Sequence, residues 1–137
     1  MKIEYKVNHT ISALQFTELL TRTSLGERRP VGDLECMLGM LDNSNLIVTA
    51  WDGNHLVGIA RSVTDFHFCC YLSDLAVDED YQYQGIGKQL QITTQAQLGP
   101  KCFLLLLAAP AAKEYYQHIG FTHNERCWML ERSEDIN

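Results

Sequence analysis

The chain of 137 residues is long enough for one compact domain with a core of its own and too short for two of ordinary size. Its 46% hydrophobic and 20% charged residues match a globular composition and exclude a disordered chain, and no apolar run approaches the roughly 20 residues that span a bilayer. A formal net charge of −6 argues against a nucleic-acid partner, whose phosphates are met by clustered Lys and Arg, and suits a cationic small substrate better. The opening residues, Met1 to Lys6, lack the apolar stretch of a signal peptide, which points to the cytoplasm. Cysteines at 36, 69, 70, 102 and 127 are odd in number and show no Cys-x-x-Cys spacing, so reduced thiols are expected and no disulfide framework or zinc site. The histidines, at 9, 55, 67, 118 and 123, show no ligand spacing, and no metal is expected.

In chain order, residues 2 to 7 set Ile3, Tyr5 and Val7 inward against Lys2, Glu4 and Lys6, the period-two pattern of a half-buried strand. From about Thr10 to Arg22 the apolar residues Ile11, Phe16, Leu19 and Leu20 recur at helical spacing. A loop with Gly26, Arg28, Arg29 and Pro30 follows, then a short helix over Asp33 to Leu41 with Asp33 as N-cap. Leu46–Trp51 and Leu56–Val63 flank Asp52-Gly53-Asn54 as a hairpin, and the second run turns near Asp65 into a strand over Phe68 to Val77. A polar stretch from Asp78 to Gln84 leads through Gly85-Ile86-Gly87 into a helix from Lys88 to Leu98, ended by Gly99-Pro100. Cys102 to Leu107 reads as a strand covered on both faces, parallel to the strand before it. Ala112, Tyr115, Tyr116 and Ile119 share one helix face closed by Gly120; Cys127–Leu130 is expected as a last strand and 131–137 as a polar tail.

The chemistry concentrates where the strand ending at Val77 meets Gln82-x-x-Gly85-x-Gly87-Lys88 and the helix beyond. A helix start offers backbone N–H groups without partners and a partial positive charge, and two glycines let an anion come close while Lys88 adds a cation. A Walker A loop fails because Gln89 follows the lysine and the first glycine is misplaced; a dinucleotide fingerprint fails because Leu90 stands where a small residue is needed. A plain glycine turn remains the alternative. A second element lies downstream, Tyr116-Gln117-His118-Ile119-Gly120-Phe121.

With these two motifs in this order, the sequence resembles the GNAT acetyltransferase superfamily, whose signature Gln/Arg-x-x-Gly-x-Gly/Ala is matched by Gln82, Gly85 and Gly87. The resemblance covers roughly residues 68 to 130 by motif. It implies an α/β mixed sheet, with strands one to four antiparallel and a parallel strand–helix–strand unit whose fourth and fifth strands splay apart. The whole of 1–137 would be a single such domain. It implies acetyl-CoA as cofactor: backbone groups of Leu75, Ala76 and Val77 would pair with the pantetheine arm, and Gln82, Tyr83, Gln84, Gly85, Ile86, Gly87 and Lys88 would hold the pyrophosphate. Where many members carry an Asn after strand five, this chain has Ala108-Ala109-Pro110-Ala111.

The reaction implied is acetyl transfer to a primary amine by direct attack through a tetrahedral intermediate. An alkylamine, with a pKa of roughly 10.4, arrives protonated and needs a base or a water relay, and the departing thiolate needs an acid. Tyr116 matches the family's acid; Tyr115, on the same stripe, is its substitute or packing. Asp74, an acid within a β-rich run, is a candidate base, equally readable as an Asp hydrogen-bonded at the sheet's solvent face. Tyr71 and Ser73 would point to the opposite face, and a bulge would swap the assignment. The charges of Arg22, Glu27, Arg28, Arg29 and Asp33 read as solvated surface before a substrate site. A small-molecule amine partner is expected, with a homodimer left open. The alternative from another class is a catalytically silent acyl-CoA-binding or sensing module.

Overall fold

The computed structural model describes residues 2–137; Met1, the first residue of the expected domain, lies outside them. Two compact units follow one another in sequence, one ending at Leu107 and the other spanning Ala108–Asn137.

The first unit is built on one sheet of five strands, β1 (Ile3–Val7), β2 (Leu46–Asp52), β3 (His55–Thr64), β4 (Cys69–Val77) and β5 (Phe103–Leu105), in the order β1-β2-β3-β4-β5. All neighbours pair antiparallel except β4 and β5, which are parallel. Between β1 and β2 run α1 (Ala13–Thr21), a 3₁₀ turn (Ser24–Arg28) and α2 (Leu34–Asp42); α3 (Ile86–Ala96) connects β4 to β5. Local chemistry sets these boundaries. Ser12 and Gln15 form a reciprocal capping box at the start of α1, and the Asp33 carboxylate accepts the Cys36 N–H at the start of α2. Gly53, at φ +59°, lets β2 fold back into β3 over two residues.

Two apolar clusters cover the two faces of the sheet. Phe16, Leu19 and Leu20 of α1 and Met37 of α2 pack with Trp51, Leu56, Ile59 and Ala76. Ile86 and Leu90 of α3 pack with Leu46, Val48, Ala50, Val57, Ala60 and Leu72. Each of these larger side chains is worth about 1.5–3 kcal/mol of burial, so the sheet's faces dominate the stability of this unit.

A single irregularity decides what β4 presents. Arg61 pairs with Asp74 but Ser62 pairs with Leu72, which leaves Ser73 as an extra residue in the strand. Before Ser73, Leu72 buries with α3; beyond it, Ala76 buries with α1 and α2 while Leu75 and Val77 pack toward α3. Asp74 thereby enters the interior and is fully buried. One of its oxygens accepts from Arg29 Nε at 2.6 Å and the other from Arg61 Nε at 2.5 Å. Arg61 also donates to Ser44 Oγ and Ser73 Oγ, and Arg29 Nη2 to the Ser73 carbonyl.

Several expectations are corrected. Val7 is exposed, at the end of β1, an edge strand of the sheet. The strand expected over Cys102–Leu107 is only Phe103–Leu105, and one of its faces is open: Phe103 and Leu105 are exposed while Leu104 and Leu106 pack against the α3 cluster. Cys127–Leu130 forms no strand, since among the described residues it meets no neighbour to complete a ladder, and Trp128 stays 93% exposed. Arg29 and Arg22 are not free surface charges but ion-paired to buried aspartates.

Removing the buried carboxylate should be severe. Asp74→Ala leaves two guanidinium groups without a counter-charge, Arg61's being 8% exposed, and is expected to cost about 3–5 kcal/mol in denaturant unfolding; a loss under about 1 kcal/mol would show that the pair is not what joins α2 and the 3₁₀ turn to β4. A second expectation concerns acid. N–H groups of Phe68, Cys69 and His67 hold the Asp65 carboxyl down to about 2. A depressed folded value means stability that is present above the unfolded carboxylate value of about 3.9 and lost as pH falls through about 2. Asp65→Asn keeps an acceptor without the charge, so its unfolding free energy should vary less between pH 4 and 2 than that of the wild type.

Candidate functional site

β5 follows β4 for only three pairs, Cys69 with Phe103, Cys70 with Leu104 and Tyr71 with Leu105. From Leu72 to Val77, β4 is paired with β3 alone, so the backbone of Leu75, Ala76 and Val77 has one edge that β5 does not occupy. An unpaired edge of this kind accepts an extended ligand as an added strand.

Directly beyond it the chain makes a 3₁₀ turn over Glu79–Tyr81 and then an exposed loop, Gln82 to Gly85. Gln82 reaches back to the Val77 carbonyl at 3.4 Å. Tyr83 adopts φ +64° and Gly85 φ +79°. A left-handed tyrosine is costly for a bulky residue, and such strain gathers at binding sites. Gly85 is the N-cap of α3 and supplies no side-chain acceptor, so the first N–H groups of the helix face outward without a cap, and nothing lies within 4 Å of where a Cβ at 85 would stand. The helix starts at Ile86, two residues before the expected Lys88, which puts Gly87 and Lys88 in its first turn. Open space, uncapped N–H groups, a helix dipole and an exposed Lys88 suit a phosphate-bearing ligand.

Sequence reasoning missed the stem of this loop. Asp78, almost completely buried, caps the 3₁₀ turn through the Asp80 N–H at 2.9 Å and accepts from Arg22 Nε at 2.6 Å. Burial pushes its carboxyl up, but the Asp80 N–H and Arg22 outweigh that and hold it below the usual range. Tyr81 Oη donates to Asp52 at 2.7 Å, and this bond raises the phenol's pKa. The one available signal was the position of Asp78 at a strand end two residues before Asp80.

In the second unit, α4 (Lys113–His118) ends in a Schellman turn: Phe121 N–H donates to the Tyr116 carbonyl, Gly120 N–H to that of Gln117, and Gly120 takes φ +104°. The Tyr116 ring sits edge-on to Phe121 and Tyr115, at 5.5 and 5.2 Å between centroids. Burial, with Tyr115 adding to it, raises the Tyr116 phenol's pKa, so it keeps its proton at neutral pH. The Tyr-x-x-x-Gly-Phe spacing is thus the signature of one helix end that fixes one tyrosine.

The family model described as "Acetyltransferase (GNAT) domain" matches residues 43–123, and the chain belongs to that family. It is 35% identical over 68 residues to "Uncharacterized N-acetyltransferase ycf52" of Gracilaria tenuistipitata var. liui, a match covering 48% of this chain and 37% of that protein. Its fold is similar to that of a GNAT-family acetyltransferase from Streptococcus pneumoniae TIGR4, with TM-score 0.76, 23% identity and coverage of 96% of this chain and 100% of the other. It also resembles an aminoglycoside N-acetyltransferase, AAC(6')-Iy, in complex with CoA, with TM-score 0.72, 15% identity and coverage of 96% and 95%. At such identities the structural likeness is one of fold. The parallel β4–β5 pair that separates after three residues is the splayed arrangement expected of that fold.

Two of the three positive-φ glycines, Gly85 and Gly120, should be hard to replace for conformational reasons alone. Gly85→Ala and Gly120→Ala add a Cβ that touches nothing within 4 Å, yet each is expected to cost about 1–2 kcal/mol in denaturant unfolding. Gly39→Ala, equally open but inside α2 at a helical φ, should be neutral or stabilising. Equal effects at all three positions would remove left-handed strain as the cause.

Proposed function

We propose that this chain transfers an acetyl group from acetyl-CoA to a primary amine. The observation that carries the reading is the junction of an unpaired β4 edge with the uncapped N-terminus of α3 at left-handed Gly85. One half suits an extended, amide-bearing arm and the other its pyrophosphate; CoA joins these two chemistries in one molecule. Leu75, Ala76 and Val77 would bind the arm through their backbone, and Gln82, Tyr83, Gln84, Gly85, Ile86, Gly87 and Lys88 the pyrophosphate. The CoA bound to the aminoglycoside acetyltransferase of similar fold supports that choice. Acetyl-CoA supplies the activated acyl thioester.

The chain's own part is to orient and to move protons. Tyr116 Oη, kept protonated by its surroundings, is the group assigned to give a proton to the departing sulfur. Asp74 has both oxygens engaged by guanidinium groups and no exposed surface, so we assign it to positioning and leave the amine's proton to water. Five free thiols fit a cytoplasmic setting.

CoA and acetyl-CoA should raise the melting temperature, with a stabilisation of about 2.7 kcal/mol at a hundredfold excess over Kd; ATP and NAD should do much less, and equal shifts for all would overturn the cofactor assignment. Thiol release from acetyl-CoA against a panel of polyamines, amino acids, peptides and aminoglycosides then separates enzyme from silent binder. On a turned-over acceptor, Tyr116→Phe should keep CoA affinity and lower the single-turnover rate by roughly 10²–10⁴-fold, with Tyr115→Phe as control. Unchanged rates in both would give the proton transfer to water.

A further inference from the structure

The loop from Gln82 to Gly85 is exposed along its whole length, carries no helix-capping side chain and includes a left-handed tyrosine. A ligand that must order a segment of this kind loses affinity by the entropy of doing so. What restrains it lies in its stem, residues 78 to 81.

Three neighbours hold that stem. Asp78 N–H donates to the Val57 carbonyl at 2.8 Å, which pins the stem to the start of β3. Tyr81 Oη reaches Asp52 at the end of β2. The third neighbour is Arg22, the C-cap residue of α1, which makes three contacts at once. Its Nε donates to Asp78 Oδ2 at 2.6 Å, its Nη2 to the Leu56 carbonyl at 2.8 Å, and its own carbonyl accepts the Glu79 N–H at 3.1 Å. Asp78 in turn holds the 3₁₀ turn through the Asp80 N–H. His55 Nε2, 3.6 Å away, is the other basic group facing this carboxylate. A planar guanidinium that serves a carboxylate and a carbonyl in fixed directions sets an orientation that an ammonium cannot.

We infer that Arg22, acting through Asp78, is a positioning residue for the cofactor loop, and that it sets CoA affinity without touching CoA. The inference rests on the acetyl-CoA reading above. Arg29 provides the internal comparison: it makes the same kind of bridge to another buried aspartate, Asp74 within β4, but that carboxylate caps no turn leading into the loop.

The experiment measures two quantities on each variant of the whole chain: denaturant stability without ligand, and Kd for CoA by titration calorimetry. Arg22→Lys keeps a charge for Asp78 but loses the fork, Arg22→Gln loses both, and Tyr81→Phe removes one hydroxyl from the opposite side of the stem. CoA should bind Arg22→Gln at least about tenfold more weakly, the worth of one charge-assisted hydrogen bond, with Arg22→Lys between it and the wild type. Tyr81→Phe should weaken CoA several-fold, which keeps the question answerable if an Arg22 variant does not fold. Arg29→Lys should lower stability while leaving Kd within about twofold. Wild-type affinity in Arg22→Gln and Tyr81→Phe, or equal weakening in Arg22→Lys and Arg29→Lys, would overturn the inference and reduce Arg22 to a stabilising contact. A wild-type chain that binds no CoA would overturn the acetyl-CoA reading, and this inference with it; the two failures are therefore told apart by the wild-type titration.

Discussion

The extra residue at Ser73 is the constraint on which the rest of the first unit depends. A strand that pairs without interruption would keep every even-numbered residue of β4 on the α3 face, and Asp74 would lie among Leu72's apolar neighbours. The slip turns it to the α1–α2 face instead, where a bare carboxylate would be prohibitively costly. Two arginines remove that cost, and each brings an element with it. Arg61 joins β3 to Ser44 and the end of α2, and Arg29 brings the segment between α1 and α2 down onto β4. A one-residue defect in a ladder thus organises a whole face of the molecule.

Such bridges are better read as specification than as stability. A surface pair contributes little, and a buried one roughly balances its desolvation cost, but breaking either partner leaves a charge with nowhere to go. Asp74 and Asp78 stand four residues apart on and just after β4, and Arg29 and Arg22 seven apart on the opposing segment. Two bridges, rather than one, prevent that segment from pivoting about either. The same strand therefore has an edge that β5 leaves unpaired beyond Tyr71 and aspartates on and just after it that are tied to the segment between α1 and α2.

The sequence carried those features whose cause is local. The hairpin at Gly53-Asn54, the cap at Asp33 and the helix end at Gly120 are each decided within a few residues, and each was readable from the residue types alone. The boundaries that failed were those decided by a partner elsewhere. The bulge at Ser73 is raised only through the family resemblance, because it is a property of the strand's pairing with β3 and not of the residues around it. Arg29 finds its carboxylate 45 positions away and Arg22 finds its own 56 positions away, so both looked like solvated charges. The apolar run at 102–107 had the composition of a doubly covered strand, yet pairs over only three residues, and Cys127–Leu130 has strand composition without a partner strand. Asp74 stood out because a carboxylate inside a strand is chemically expensive anywhere, but its composition alone could not distinguish a base from an anchor.

In the loop proposed to hold the cofactor, a local deficit would become a binding surface. A helix N-terminus without a side-chain acceptor forgoes about 1 kcal/mol relative to a Ser, Thr or Asp cap, and α3 begins on such an N-terminus although Ser12, Asp33 and Asp78 show that this chain uses side-chain caps elsewhere. Tyr83 adds a left-handed residue where most side chains would resist it. Backbone N–H groups left open by a missing cap beside left-handed residues would suit an anion, so on the proposed reading both deficits would be relieved by the same ligand atoms. A capping side chain at position 85 would stabilise the free protein and compete with phosphate for the same donors. The strain at the loop and the bonding of its stem are therefore complementary on the inference drawn above: Asp78 and Arg22 would hold from below a loop whose donors are left for a ligand.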